Sequence, residues 1–196
     1  MTSIEDYELI RLIGQGGFAQ VFAGRSRKGG TVPTTDEIAI KRIDKVKILE
    51  NGLMSKVESE IRLHQQCNHP GIVACLDSFE DTGYFYMVLE LAPQGNLFQL
   101  LRSVGKRSLS GGYTGLLVGQ VRIIMTQLVA AVAYLHSMGV IHRDIKLSNV
   151  LVEFDFENND HEDGRESVRN GCPNWGALVI TRAFLCDFGL ATQVIY

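Results

Sequence analysis

The stretch Ile141-His142-Arg143-Asp144-Ile145-Lys146-Leu147-Ser148-Asn149-Val150-Leu151 decides how this chain is read. It sets a carboxylate, Asp144, and a carboxamide, Asn149, five residues apart with Lys146 between them, and it runs into a short apolar strand around Val150–Val152. Downstream, Leu185-Cys186-Asp187-Phe188-Gly189-Leu190-Ala191 places a second carboxylate at the end of another apolar strand around Phe184–Cys186. Alone, each is compatible with a surface Asp on a loop.

Upstream, Gly14-Gln15-Gly16-Gly17-Phe18-Ala19-Gln20-Val21 follows the alternating strand Tyr7–Ile13. A dinucleotide fold needs a helix after such glycines. Here Gln20–Ala23 reads as a return strand, so the glycines sit in a β-hairpin. Missing side chains there let backbone N–H groups approach phosphates; a plain glycine-rich turn is the bland alternative. Glu37–Ile43 reads as a third strand, and Lys41 lies within it. Its bland reading is an outward lysine at a sheet edge. Glu60 falls on the next helix, Leu53 to Gln66, whose apolar stripe is Leu53, Val57 and Ile61. A strand lysine held by a helix glutamate would aim an ammonium at the α- and β-phosphates of a nucleotide.

Around these motifs the first ninety residues alternate like a sheet, with Arg25–Asp36 as a loop and Phe85–Leu89 as a buried strand. From residue 94 the period becomes helical. Asn96–Arg102 reads as a short helix and Ser103–Gly119 as a long loop. Gln120–Met138 is the strongest helix, with Val121, Ile124, Leu128, Val132 and Leu135 on one face and Gly139 as its cap. Residues 153–179 carry Asp155, Glu157, Asp160, Glu162, Asp163 and Glu166, too polar to offset ordering, and are expected to form a flexible insertion in which Trp175 packs locally at most.

The 196 residues are 45% hydrophobic and 21% charged, which excludes global disorder. A net charge of −3 gives no basic footprint for nucleic acid or an anionic membrane. The longest uninterrupted apolar run, Leu128–Leu135, is short for a membrane span, and the acidic start holds no secretory signal. Cys67, Cys75, Cys172 and Cys186 are too few and too irregular for a disulfide framework, and with His64 and His69 they show no zinc spacing; an intracellular, cytoplasmic setting is expected.

In this order the motifs resemble those of the eukaryotic protein kinases. Ile4–Tyr7, Gly16–Ala19, Ala39–Asp44, Phe79–Asp81, Leu147–Asn149 and Asp187–Gln193 look most like the polo-like kinases, in particular the Sak branch linked to centrioles. The resemblance implies an α+β, two-lobed fold. Residues 1–91 would be a complete N-lobe, an antiparallel sheet with one helix, and 92–196 a partial C-lobe. It implies ATP and Mg²⁺ as cofactors and Ser/Thr side chains of proteins as acceptors. Gly14, Gln15, Gly16, Gly17, Phe18, Ala19 and Gln20 would cover the phosphates. Ile13, Val21, Ala39 and Leu151 would sandwich the adenine, Leu89 would be the gatekeeper, and Glu90 and Ala92 would bond the adenine edge through their backbone. Lys41 would pair with Glu60 and touch the phosphates. Asp144 would accept the acceptor hydroxyl's proton, Lys146 would steady the γ-phosphate, and Asn149 and Asp187 would hold the metal. Arg143 would receive an activation-loop phosphate, and His142 and Phe188 would stack in a hydrophobic spine.

Three departures stand beside the resemblance. Ala19 replaces the third glycine. Asn149 to Asp187 spans 38 positions where the family needs about a dozen. The chain stops nine residues past Asp187, so the resemblance covers about two-thirds of a kinase domain. That end favours, as the alternative, an inactive nucleotide-binding or interfering fragment, poorly soluble because the face of Gln120–Met138 would lack its partners. An oxidoreductase reading rests on the glycines alone and leaves Lys41, Asp144 and Asp187 unexplained.

Overall fold

The computed structural model describes residues 2–27, 37–105, 115–156, 168–169, 172–173 and 177–194. The first layer is an antiparallel sheet of β1 (Tyr7–Gln15), β2 (Ala19–Ser26), β3 (Glu37–Asp44), β4 (Cys75–Glu80) and β5 (Tyr84–Glu90), in the order β1-β2-β3-β5-β4. Strand β3 is therefore central, which removes the edge-lysine reading of Lys41. Its period of two divides it between two cores. Ile38 and Ile40 pack with Tyr7, Tyr86 and Val88 on one face. Ala39 and Ile43 pack on the other with Ile48, Val57, Val73, Met87 and Leu89. Lys41 shares the second face.

Two helices cover that second face. The first, α1 (Lys45–Glu50), has no counterpart in the sequence reading. Six residues give no usable periodicity, but the Asp44 carboxylate accepts the Lys47 N–H at 3.2 Å and caps its first turn. The second, α2 (Met54–Gln66), buries Val57, Glu60, Leu63 and His64. The expected stripe is thus right at Val57 and rotated elsewhere: Leu53 and Ile61 are only partly buried. A charged and an imidazole side chain occupy the inward face, and an apolar template does not count them. Strand β4 also escaped the sequence reading, because Cys75-Leu-Asp-Ser-Phe-Glu80 neither alternates cleanly nor forms an apolar run.

The second layer comprises α3 (Leu97–Gly105), α4 (Val118–Ser137), β6 (Val140–Ile141), β7 (Val150–Phe156), β10 (Leu178–Leu185) and β11 (Thr192–Gln193); β8 (Val168–Arg169) and β9 (Cys172–Pro173) form a short separate pair. Both expected hairpin strands are longer than the sequence indicated. β7 and β10 pair from Val150↔Leu185 to Phe156↔Leu178, so Glu153–Phe156, Leu178 and Val179 are ladder residues and not insertion. Within 157–176 only the pair β8–β9 is described; the acidic run from Glu157 to Glu166, and Trp175, lie outside the described residues. So do 28–36 of the expected loop Arg25–Asp36 and 106–114 of the expected loop Ser103–Gly119; α3 and α4 take the two ends of the latter.

Helix α4 packs on β10. Its inward residues are Gln120, Ile124, Leu128, Ala131 and Leu135, while Val121 is exposed and Val132 half-buried. The correction has a polar cause: the Gln120 amide donates to the Leu178 carbonyl at 2.7 Å, and its oxygen accepts the Leu117 N–H at 2.7 Å, turning the helix. The face that was expected to lack partners is largely buried within the described residues, against β7, β10 and α3. The exposed apolar stripe takes Val121 from that face and adds Val118, Met125 and Val129. By length and a mean hydropathy of 1.5, α4 is apolar enough to cross a membrane, which counting uninterrupted runs did not reveal. One face of it is tied to the rest of the fold: the Gln127 side-chain oxygen accepts the Ala183 N–H, and the Tyr134 hydroxyl accepts the Asn68 N–H.

Alternate residues of β10 serve the two layers. Ala183 and Leu185 join the core of α3 and α4, whereas Phe184 enters the core beneath the sheet. This strand seams the layers together just before Asp187.

Candidate phosphoryl-transfer site

The hairpin of β1 and β2 closes with the Gly16 N–H donating to the Ala19 carbonyl at 2.8 Å. A Cβ added at Gly17 would meet nothing within 4 Å, and one at Gly16 only the Ala19 carbonyl at 3.8 Å. Neither glycine is required by packing or by a positive φ, so their smallness leaves room for something outside the chain. Gln15, Gly16, Gly17 and Phe18 are exposed, and Ala19 and Gln20 half-buried. The Gln20 side chain accepts from Arg42 at 2.6 Å, which takes it away from a phosphate role.

Behind the hairpin, Val21, Ala39, Leu89, Ala92, Leu151 and Cys186 belong to one apolar cluster. Five of the residues expected around an adenine are thus together. Ile13 is not among them and is exposed. Leu89 is buried. Glu90 ends β5, its N–H donating to the Ala74 carbonyl at 3.0 Å, and the Ala92 carbonyl accepts the Gly95 N–H.

Lys41 Nζ meets Glu60 Oε1 at 2.5 Å and Asp187 Oδ1 at 3.5 Å. Burial alone would lower the Lys41 ammonium, but the two carboxylates, Glu60 first, outweigh it and hold the group above its ordinary value. Burial would likewise raise the Asp187 carboxyl. The Lys41 charge, the Gly189 N–H and the Lys41 hydrogen bond together keep it below the usual range. Both groups are therefore charged at neutral pH.

The catalytic-loop candidates form a second knot. Asp144 Oδ2 accepts from Lys146 Nζ at 2.8 Å and from Asn149 Nδ2 at 2.8 Å, and the Asn149 amide also donates to the Asp144 carbonyl. Lys146 is raised above its ordinary value, chiefly by that bond to Asp144. Among the described residues only Arg143 and Asp187 combine a side chain with positive φ, at 63° and 66°. Such left-handed backbone costs of order 1–3 kcal/mol and persists where surroundings over-determine it. Here β6 pairs with β11, and Arg143 Nε donates to the Leu190 carbonyl at 2.6 Å, fastening the two loops to each other.

Phe188 is buried between two imidazoles, 4.6 Å from His64 and 5.2 Å from His142 by ring centroids. The His142 and Phe188 stack thus has a third member. The sequence reading considered His64 only for zinc spacing, although it stands one helical turn after Glu60, on the same face. Its Nε2 bonds the Val73 carbonyl at 2.7 Å. Burial foremost, then Lys41 and His142, push the His64 ring down to about 4, against the Val73 bond and Asp187. A base with a folded pKa below its unfolded 6.5 is protonated first in the unfolded chain, so stability falls as pH falls from 6.5 to about 4. The full loss is about 3 kcal/mol at 1.4 kcal/mol per pKa unit. In urea titrations from pH 7 to 4, His64→Phe is expected to flatten this slope relative to wild type. Parallel profiles would contradict the assignment.

Burial drives the Cys186 thiol up to about 12, so it is an apolar filler here and not a ready nucleophile. No three His, Cys, Asp or Glu residues cluster to hold a metal among the described residues. The side-chain oxygens of Asn149 and Asp187, the residues expected to hold a metal, are hard donors of the kind that suit an ion whose shell is completed by waters and phosphate oxygens.

Comparison with known proteins gives the family. Residues 7–196 match the protein kinase domain family. The chain belongs to that family. It is 41% identical over 192 residues to the serine/threonine-protein kinase PLK4 of Nematostella vectensis, 39% over 192 to that of Drosophila willistoni, and 37% over 150 to that of Drosophila melanogaster. These alignments cover 98%, 98% and 76% of the chain and 16%, 20% and 18% of the relatives. The chain thus spans a fifth or less of the length of these relatives.

Proposed function

We propose that this chain carries the nucleotide-binding and phosphoryl-transfer centre of a polo-like protein serine/threonine kinase, using ATP and Mg²⁺. The supporting observation is the meeting of Lys41 with both Glu60 and Asp187, beside the knot of Asp144, Lys146 and Asn149. Residues 1–91 act as the nucleotide-holding lobe and 92–196 as part of the catalytic lobe. The acceptors are Ser/Thr side chains of proteins, and the setting is cytoplasmic with a centriolar link, on the resemblance to PLK4 relatives.

Phosphoryl transfer needs positioning and charge stabilisation more than covalent chemistry. The glycine hairpin lays backbone N–H groups over the phosphates. Glu60 keeps the Lys41 ammonium pointed at the α- and β-phosphates. Asp144 orients the acceptor hydroxyl and takes its proton, and Lys146 neutralises charge on the transferred group. Asn149 and Asp187 would hold Mg²⁺, which when bound offsets phosphate charge.

Asp187→Ala tests the reading at the binding step. It removes a metal ligand and one of the two carboxylates on Lys41, so Mg·ATP binding by calorimetry is expected to fall below detection. Affinity equal to wild type overturns the placement of the metal.

A further inference from the structure

The nucleotide reading makes no use of Arg182, although this cation is the most heavily engaged of the described side chains on β10. Both Nη atoms of Arg182 bond the Glu90 carboxylate, Nη2 to Oε2 at 3.1 Å. Arg182 Nε donates to the Pro70 carbonyl at 2.8 Å, and Glu153 Oε1 lies 3.9 Å from Nη1. The guanidinium lies over the Phe184 ring, 4.1 Å from its centroid. Glu90 Oε2 also accepts the Ala74 N–H at 3.3 Å. One ion pair thus gathers the end of β5, the connection from α2 to β4, β7 and β10.

An exposed ion pair is ordinarily worth little. This one differs in kind. It is bidentate, three-quarters shielded on both partners, floored by an aromatic ring and joined to two backbone groups. Its position gives it a consequence. Glu90 stands two residues before Ala92, where the backbone would meet the adenine edge. Arg182 stands five residues before Asp187, on a strand paired with β7 down to Leu185. The pair is therefore a side-chain strut between the two parts of the site that hold opposite ends of a nucleotide.

We propose that Arg182 is a positioning residue for nucleotide binding: through Glu90 it fixes the adenine-reading end of β5 against the hairpin that presents Asp187. This rests on the nucleotide-site reading above. With the strut cut, both ends of the site remain, but their separation is no longer fixed.

The test is equilibrium binding of a fluorescent ADP analogue, with Mg²⁺, to the full chain. Arg182→Met keeps the apolar stem over Phe184 and is expected to raise Kd about fivefold or more, a typical coupling between linked sites. Arg182→Lys, which keeps charge but not the fork, should fall between. Glu90→Gln is nearly isosteric and should weaken binding similarly, which serves if Arg182→Met folds poorly. The double variant should bind no more weakly than the worse single one, because both cut the same strut. Amide exchange should quicken at 90–92 and 185–187 in each variant. Wild-type Kd in both single variants, or additive losses in the double, overturns the strut. A wild-type chain that binds no nucleotide overturns instead the site reading on which the strut depends.

Discussion

Asp144→Asn is expected to lower phosphate turnover by about 10²–10⁴-fold, the usual contribution of a positioned base, while leaving nucleotide affinity near wild type. The carboxylate touches no residue assigned to the adenine or to the α- and β-phosphates. Its Oδ2 is held by the Lys146 ammonium and the Asn149 amide, both donors. An Asn side chain can still offer its oxygen to these donors, so the loop geometry survives, but the amide cannot take a proton from an acceptor hydroxyl. The experiment pairs radiolabel transfer from ATP to a generic protein acceptor with binding of a fluorescent nucleotide. Turnover undiminished in the variant removes Asp144 from the role of base. A parallel loss of nucleotide affinity would place it in binding instead.

The second large effect is on stability. Phe184→Ala is expected to cost about 3–5 kcal/mol, the range for emptying a buried aromatic site. That is a large share of the 5–15 kcal/mol that holds a domain folded. Phe184 is fully buried, and it is the residue of β10 that packs into the core beneath the sheet while its neighbours pack with α3 and α4. Its ring also floors the Arg182 guanidinium. Removing it opens a cavity at the seam between the layers, where neither core can collapse without moving the other. Urea unfolding measures the loss, and Phe184→Leu, which keeps most of the volume, should lose far less. A cost below about 1 kcal/mol for the alanine variant, at the level of a surface change, would contradict this packing.

Much of the centre was legible because its residues sit in short, ordered motifs. Lys41, Glu60, Asp144, Lys146, Asn149 and Asp187 were each named from local sequence, and the fold brings Lys41, Glu60 and Asp187 into contact and knots Asp144 with Lys146 and Asn149. What escaped was set by long-range or polar packing. Gln120 turned α4 by bonding a strand carbonyl 58 residues away. His64 faces inward on α2 beside Glu60, where an apolar stripe was sought. Arg182 and Glu90 lie 92 residues apart and carry no motif. The hairpin strands were cut short because Glu153 and Asp155 look like insertion until the ladder shows them paired with Arg182 and Val179.

The register of that hairpin has a practical consequence. Its far end, where Leu178 meets Phe156, lies a whole strand away from Leu185, the residue that leads into the turn carrying Asp187. Eight residues of ladder put about 20 Å between the two ends. Anything joined at this far end would sit on a ladder that α4 holds from the side, since the Gln120 amide donates to the Leu178 carbonyl. For anyone wishing to tag this chain internally, Phe156 at the end of β7 stands a ladder's length from the turn that carries Asp187.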